Sequence, residues 1–487
     1  MAEKMRDEFR GNFSKDAFDP DKGFSRILMQ QGRVLLDSDF NVLQDLVTYY
    51  LRTMAKDLIG PRGGIKDEEN KIDSFKINLA DDLKDITIAP GHYYVDGILC
   101  INELVNKKPI KYTEQKGYFS DKSLNSHSDG ISPLDIGKSY FIYLDVWERS
   151  ISYIQDDTLL ETALGIGDAD TTVRSKVVWQ VKALERNDEK GCGSVDWENL
   201  YGPRGLLKAG KANPEEDGTK GCIVSQGVHL TVQKNLLLRV EIHRAGKVED
   251  KANPPTFKWS CVNGSADFKI IPPIDISTET KETNEKWDIA TVTLDHALNS
   301  EHLSLKVGDI VEIVDDIYIL ARQAFALWRV DSIDEESNQV ILKRNQPKYS
   351  EDVGADKANN PLLRRWDQKK GDSSRGGLTL SDDYAALIKE TSDGKDNLLN
   401  LGMGIAIQFQ KPEKSEGPFN YRTGDYWLIP VRALSEVEWN EGRSPHGIEH
   451  HYAPLAIISI KADGTGTITI DHDCRSTFGG SATQIQE

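Results

Sequence analysis

The densest group of chemistry-bearing side chains in this sequence is His446, Glu449, His450 and His451, and neutral imidazoles so spaced can each give zinc one ring nitrogen. On a helix His446 and His450 would share a face. Pro445, Gly447 and Pro454 bracket the segment, which instead reads as a loop entering a strand, where polar side chains serve as hydrogen-bonding groups. His446, His450 and His451 are the metal-ligand candidates, and no metal or other cofactor is assigned. A second group, Asp471-His472-Asp473-Cys474-Arg475, puts a base, a nucleophile and an orienting carboxylate within five residues. Neighbouring strand residues point to opposite faces and do not converge on one substrate atom, so a surface turn is the better reading.

Trp147, Trp179, Trp259, Trp328 and Trp427 form a third set, all in strand-like stretches. Exposed, they would stack on sugars; large rings in alternating strands more often fill a sandwich core. Arg364-Arg365-Trp366-Asp367-Gln368-Lys369-Lys370 mixes cations with an aromatic and reads as a solvated connecting loop, with stacking on a base or glycan as the alternative. Gly202-Pro203-Arg204-Gly205 lacks the Lys-Ser/Thr ending of a phosphate loop. No catalytic residue emerges, and the expectation is a protein that is not an enzyme.

The elements that must position these groups begin with an arm and a helix. Gln30-Gln31-Gly32 is a turn that sends an extended Arg33-Val34-Leu35-Leu36 into a cap at Ser38 or Asp39. From Phe40 the apolar residues Phe40, Leu43, Leu46, Val47, Tyr50, Leu51, Met54 and Leu58 recur at helical spacing until Gly60-Pro61. One face of this long amphipathic helix must be covered, and Phe40, Leu43, Val47 and Tyr50 are its candidate interaction residues. Strands follow. Asp96-Gly97 and Asn263-Gly264 are two-residue hairpin signals, the second the clearest in the chain. Four strand patterns between residues 289 and 343 resemble a small SH3-like barrel.

The predicted fold is therefore mainly β and multidomain. An N-terminal arm and helix occupies 1–64, a β-sandwich-like body 65–275 and 349–478, an inserted small SH3-like β-barrel 276–348, and a flexible tail 479–487. At 487 residues the chain has room for roughly three or four domains of about 100–200 residues. Its 60 Lys plus Arg against 78 Asp plus Glu give a net charge of −18, which repels phosphate backbones and speaks against nucleic acid. No run approaches the roughly 20 apolar residues of a membrane span, and the opening Met-Ala-Glu-Lys-Met-Arg-Asp-Glu lacks the apolar core of a secretion signal, so assembly in the cytoplasm is expected. The five scattered cysteines read as reduced, mostly buried thiols, although Cys192 and Cys222 lie in Gly-flanked loops that could meet.

Asn12-Phe13-Ser14, Phe18-Asp19-Pro20, the stretch Ser25-Arg26-Ile27-Leu28-Met29-Gln30-Gln31-Gly32-Arg33-Val34 and Leu36-Asp37-Ser38-Asp39-Phe40-Asn41 carry a detailed resemblance. It continues through Tyr143-Leu144-Asp145-Val146-Trp147-Glu148-Arg149, Thr172-Val173-Arg174-Ser175, Leu238-Arg239-Val240-Glu241-Ile242-His243, Gly424-Asp425-Tyr426-Trp427 and His446-Gly447-Ile448-Glu449-His450-His451. On these motifs the chain resembles an uncharacterised family of proteins encoded beside phage tails and phage-tail-like contractile injection systems. The resemblance implies a structural component of such a particle, at the baseplate or its attached appendages, in contact with other particle subunits and forming a homo-oligomer. The particle would be released from the cell or attached to its membrane. A glycan-binding or carbohydrate-active β protein, free or at the tip of such a particle, is the alternative.

Overall fold

The computed structural model describes residues 8–102, 109–118, 130–164, 170–186, 191–193, 195, 197, 204–211, 236–280, 286–295, 305–345, 353–371, 377–390, 398–402, 405–411, 420–431, 439 and 441–479. Cys222 and the tail beyond Gly479 lie outside the described residues. Helix α1 (Asp37–Ile59) is capped at its C-terminal end by Gly60, whose φ of 97° a side chain would resist. It opens earlier than the expected cap at Ser38 or Asp39, because the Asp37 carboxylate accepts the Ser14 amide at 2.8 Å while Asp37 and Asp39 sit favourably in the first turn.

Seven short strands follow: β1 (Arg62–Asp67), β2 (Ile72–Asp73), β3 (Ile77–Leu79), β4 (Ile86–Ile88), β5 (Gly91–Val95), β6 (Ile98–Asn102) and β7 (Ile110–Lys111). They make the sheets β2-β1-β5-β6 and β3-β4-β7. The long β8 (Ser139–Ile151) and β9 (Arg174–Arg186) pair along their whole length. They share the sheet β24-β23-β8-β9 with β23 (His451–Ile460) and β24 (Ile468–Asp473), and β25 (Thr477–Phe478) returns to lie parallel to β1. Tyr93, Ile86, Ile142, Leu144, Val181 and Leu455 fill the core these sheets enclose.

A second core lies between two further sheets. One is β10-β21-β20, from β10 (Leu206–Lys211), β20 (Leu399–Gly402) and β21 (Ile405–Gln410). The other is β19-β12-β11-β22, from β11 (Leu236–Arg244), β12 (Thr256–Ser260), β19 (Ala386–Leu387) and β22 (Tyr426–Val431). Leu207, Ile407 and Phe409 of the first pack with Val240, Phe257 and Trp427 of the second. Between β12 and β19 the chain builds a closed barrel, β13-β14-β17-β16-β15-β18. Its strands are β13 (Asp267–Thr280), β14 (Lys286–Leu294), β15 (Ile310–Val314), β16 (Trp328–Asp334), β17 (Gln339–Arg344) and β18 (Leu362–Trp366), with the short helix α2 (Asp316–Ala321) after β15.

Three sequence readings are corrected. The Arg364–Lys370 stretch is not a solvated loop throughout, nor a stacking patch: Arg364–Trp366 is the end of the wholly buried β18, with Arg364 forked onto Asp267 at 2.7 Å through two nitrogens, and only Lys369 and Lys370 at the far end are exposed. Asn263-Gly264 makes a tight turn, φ 55° and 63°, but no hairpin, because β12 and β13 leave it for different sheets. The turn instead receives the N-terminal segment: the Asn263 amide donates to the carbonyls of Phe9 at 2.9 Å and Gly11 at 3.0 Å, and a Cβ on Gly264 would lie 2.3 Å from Arg10 Nη1. The cysteines are not all reduced. Cys192 is bonded to Cys474, 282 residues away, because the segment after β9 and the end of β24 share one patch of the sheet; Cys261 is disulfide-bonded and Cys100 is a buried free thiol.

A buried charge network joins the N-terminal segment, the second core and the barrel. Glu241 on β11 accepts from Arg10 at 2.7 Å and Arg239 at 2.5 Å, and lies 3.3 Å from Lys258 on β12. Lys258 also donates to both oxygens of Glu312 on β15 at 2.7 Å, and Trp366 Nε1 and the Tyr318 hydroxyl donate to the same carboxylate. Glu8 closes the chain of pairs through Arg10 at 2.8 Å. Burial alone would raise these carboxyl pKa values. The arginines and Lys258 override it, holding Glu8 down at about 2 and Glu241 well below the usual range. Removing one partner strands the others without water, so Glu241→Ala is expected to cost about 3–5 kcal/mol. Because these pKa values are depressed, their stabilisation is complete above about pH 4.5 and is lost as pH falls toward about 2. A melting series over that interval should show the loss, and Glu241→Gln should reduce its slope.

Candidate functional site

The three candidate histidines are not brought to one point. His446 Nδ1 accepts the Leu428 amide at 3.2 Å, and its ring stacks near Tyr426. His451 Nδ1 faces Asp96 at 3.0 Å, at the entrance to β23. His450 is buried against Trp147, ring centroids 4.8 Å apart, with Nδ1 2.6 Å from Asp145, whose other oxygen accepts from Lys182 at 2.7 Å. Burial pushes the His450 pKa down to about 4 against the pull of Asp145, so the ring is neutral near pH 7 and donates its Nδ1–H to the carboxylate. His450 Nε2 is buried and has no hydrogen-bond partner among the described residues. The Asp145–His450 pair thus has the orienting half of a catalytic triad without a hydroxyl or thiol on the other nitrogen. Among the described residues no three His, Cys, Asp or Glu groups are placed to hold a metal ion.

The Asp471 to Arg475 group is dispersed as well. Cys474 is in its disulfide, Asp471 accepts from Ser459, and Arg475 reaches Asp473 at 2.7 Å and Asp73 at 2.8 Å. Of the tryptophans, Trp147, Trp259, Trp328 and Trp427 are buried. Trp179 is half-buried, with its indole nitrogen donating to the Ile101 carbonyl at 3.0 Å.

A cleft of about 640 Å³ that the sequence did not announce opens where β8, β9 and α2 meet, with Trp179, Lys176 and Gln155 in its walls. At one side Asp316 gathers Lys116 at 2.7 Å, Arg149 at 2.8 Å and Asn360 at 3.0 Å. The charges are mutually paired, which suits a junction between modules better than a reaction centre. The charged residues inside otherwise apolar strands, Arg149 here and Arg239, Glu241 and Glu312 in the buried network, are all buried.

The largest unexplained surface is on the arm and α1. Of the 21 large apolar side chains exposed among the described residues, 12 fall between residues 24 and 58. Val34 is 84% exposed, Phe40 51%, Leu51 56% and Leu58 79%. At 100° per residue, Phe40, Val47, Tyr50, Leu51, Met54 and Leu58 lie in one stripe about 100° wide, the width a helix normally presents to a core. The opposite, polar side meets the body: Arg52 pairs with Glu148 at 2.7 Å and Lys56 with Asp96 at 2.9 Å. The contact is close, since a Cβ on Gly97 in the β5–β6 turn would come within 2.2 Å of the Arg52 carbonyl oxygen. Leu46 is buried, and Leu43, expected among the interaction residues, falls within the stripe but is half-buried. The helix is inside out with respect to its own protein. No described helix is long and apolar enough to cross a membrane.

No curated protein and no solved structure matches the chain. Residues 9–193 and 203–454 match a family of unknown function, DUF6519, and this protein is a member of that family.

Proposed function

We propose that this protein is a structural component of a larger particle, of the phage-tail-like contractile injection type that the sequence motifs imply, seated at the baseplate or its attached appendages and working through protein–protein contacts. The observation that carries this reading is the outward-facing apolar stripe of α1. Leaving six large apolar side chains in water is unfavourable by an amount set by their area, and contiguous apolar patches of this kind mark surfaces that another macromolecule covers. The salt bridges at Arg52 and Lys56 hold the helix on the body with the stripe presented. The disulfide-bonded Cys192 and Cys474 favour an oxidising environment for the finished particle, in keeping with one that leaves the cytoplasm after assembly.

Glycan binding is the second reading, and the cleft beside Trp179 is what favours it. Against it, the other four strand tryptophans are spent on cores, and the charges around Asp316 already have partners.

Val47→Lys with Met54→Lys alters only exposed positions, so circular dichroism and melting should match the native chain while the variant is excluded from particles isolated from cells that make it. Normal incorporation would count decisively against docking through α1. Elemental analysis of the purified chain is expected to show no stoichiometric zinc, and His450→Gln to cost about 1–3 kcal/mol of stability with metal content unchanged. One zinc per chain, lost with His450→Ala and His451→Ala, would replace scaffolding with metal-assisted hydrolysis.

A further inference from the structure

We infer that the partner of the α1 stripe is the same stripe on further copies of this chain, and that three or four copies join through a parallel, in-register bundle of their α1 helices. The inference rests on the docking reading above and adds the identity of the occupant.

The spacing carries the first step. Along the exposed face Phe40, Gln44, Val47, Leu51, Met54 and Leu58 are separated by 4, 3, 4, 3 and 4 residues, the alternation of a heptad seam sustained over most of a helix of 23 residues. Such a seam is complementary to another helix with the same repeat, rather than to a sheet or an extended peptide. In heptad terms Phe40, Val47 and Met54 take the d positions and Gln44, Leu51 and Leu58 the a positions.

Gln44 selects a second copy and its direction. It is the one polar residue among the six of the seam, second from its N-terminal end, and its amide both donates and accepts, so it pairs with an identical amide. A parallel, in-register arrangement places Gln44 against Gln44 and every apolar residue against its own equivalent. An antiparallel pairing that overlaps the apolar residues sets Gln44 against Met54 and buries an unpaired amide. An antiparallel pairing centred on Gln44 leaves Leu51, Met54 and Leu58 overhanging. A single polar a residue fixing register is an established device of helical bundles.

The number of copies follows from side-chain shape and stripe width. Leucine at a with a β-branched residue at d, as in Leu51 and Val47, disfavours two strands and favours three or four. The stripe, widened by Tyr50, is also broader than a two-helix seam, which covers only a and d positions. Flanking charge opposes self-association little, since Asn41, Leu43, Thr48, Tyr50 and Ala55 beside the seam are neutral and the one charged residue there, Asp57, sits in the last turn. The body lies on the opposite side of each helix, where Arg52 and Lys56 hold it, and so stays outside the bundle. Repulsion between copies of charge −18 is long-range and screened by salt, so assembly should strengthen as ionic strength rises.

Sedimentation of the full chain tests this. The expected mass is three or four times the 54.5 kDa of one chain, with more assembly at 0.5 M than at 0.05 M salt. Leu51→Lys should raise the concentration of half-assembly by at least about thirtyfold, as loss of a central apolar anchor does, with the circular dichroism spectrum unchanged. Gln44→Cys should cross-link chain to chain under mild oxidation, as in-register seams require. A native chain that stays monomeric or dimeric at tens of micromolar overturns the inference, as does an oligomer indifferent to Leu51→Lys. If the native chain is monomeric yet Val47→Lys with Met54→Lys is still excluded from particles, self-association falls and the docking reading stands. If the native chain forms the bundle and that variant is incorporated normally, docking through α1 falls and the bundle stands.

Discussion

The structure turns on one electrostatic requirement: Glu241, buried between two sheets, must be neutralised by cations that also cannot reach water. Arg239 comes from its own strand and Lys258 from the neighbouring one, but Arg10 comes from a segment more than two hundred residues earlier. Lys258 carries the same requirement into the barrel through Glu312. Three parts of the chain, each with its own hydrophobic interior or none, are thus fixed against one another by ion pairs whose separate members would be intolerable. Hydrophobic burial builds each unit; the paired charges decide how the units meet.

The same logic explains how a helix can show its apolar side to water. With Glu8 and Arg10 held in the charge network and Ser14 bonded to Asp37, the start of α1 is tied near the body by residues that are not its own apolar ones. Arg52 and Lys56 then engage Glu148 and Asp96, and the missing side chain of Gly97 lets the helix backbone settle against the β5–β6 turn. Polar anchoring of this sort frees the apolar stripe from its usual task of attaching the helix to its own core.

Local signals in the sequence were read correctly where local energetics decide. The Asp96-Gly97 turn joins β5 to β6, with φ of 48° and 82° that the two residues tolerate, and α1 ends at Gly60. Reading failed where a residue's partner lies far away in sequence. Asn263-Gly264 has hairpin chemistry, yet the same small, φ-tolerant pair also suits a site where another strand must press in, and Arg10 is what presses there. Arg364 and Arg365 looked solvated because isolated cations usually are; Asp267, which accepts the Arg364 fork, is almost a hundred residues away. The thiols of Cys192 and Cys474, 282 residues apart, could not be matched by spacing. Periodicity placed Phe40, Val47 and Tyr50 on one helix face, and all three are exposed, while the cleft around Asp316 forms where β8 and β9 meet α2 and left no pattern in any one of them.

The parallel pairing of β1 with β25, Gly64 beside Thr477, sets a timetable for the newborn chain. β1 leaves the ribosome 413 residues before its partner, since 477 − 64 = 413, and at about 5–20 residues per second that is a wait of roughly 20–80 s. β8 waits similarly for β23. Throughout this interval α1 has already been made, while the hairpin and strand that anchor its polar side belong to sheets still lacking their final strands. Each nascent chain therefore displays its apolar stripe before the body that holds the helix's polar side is finished.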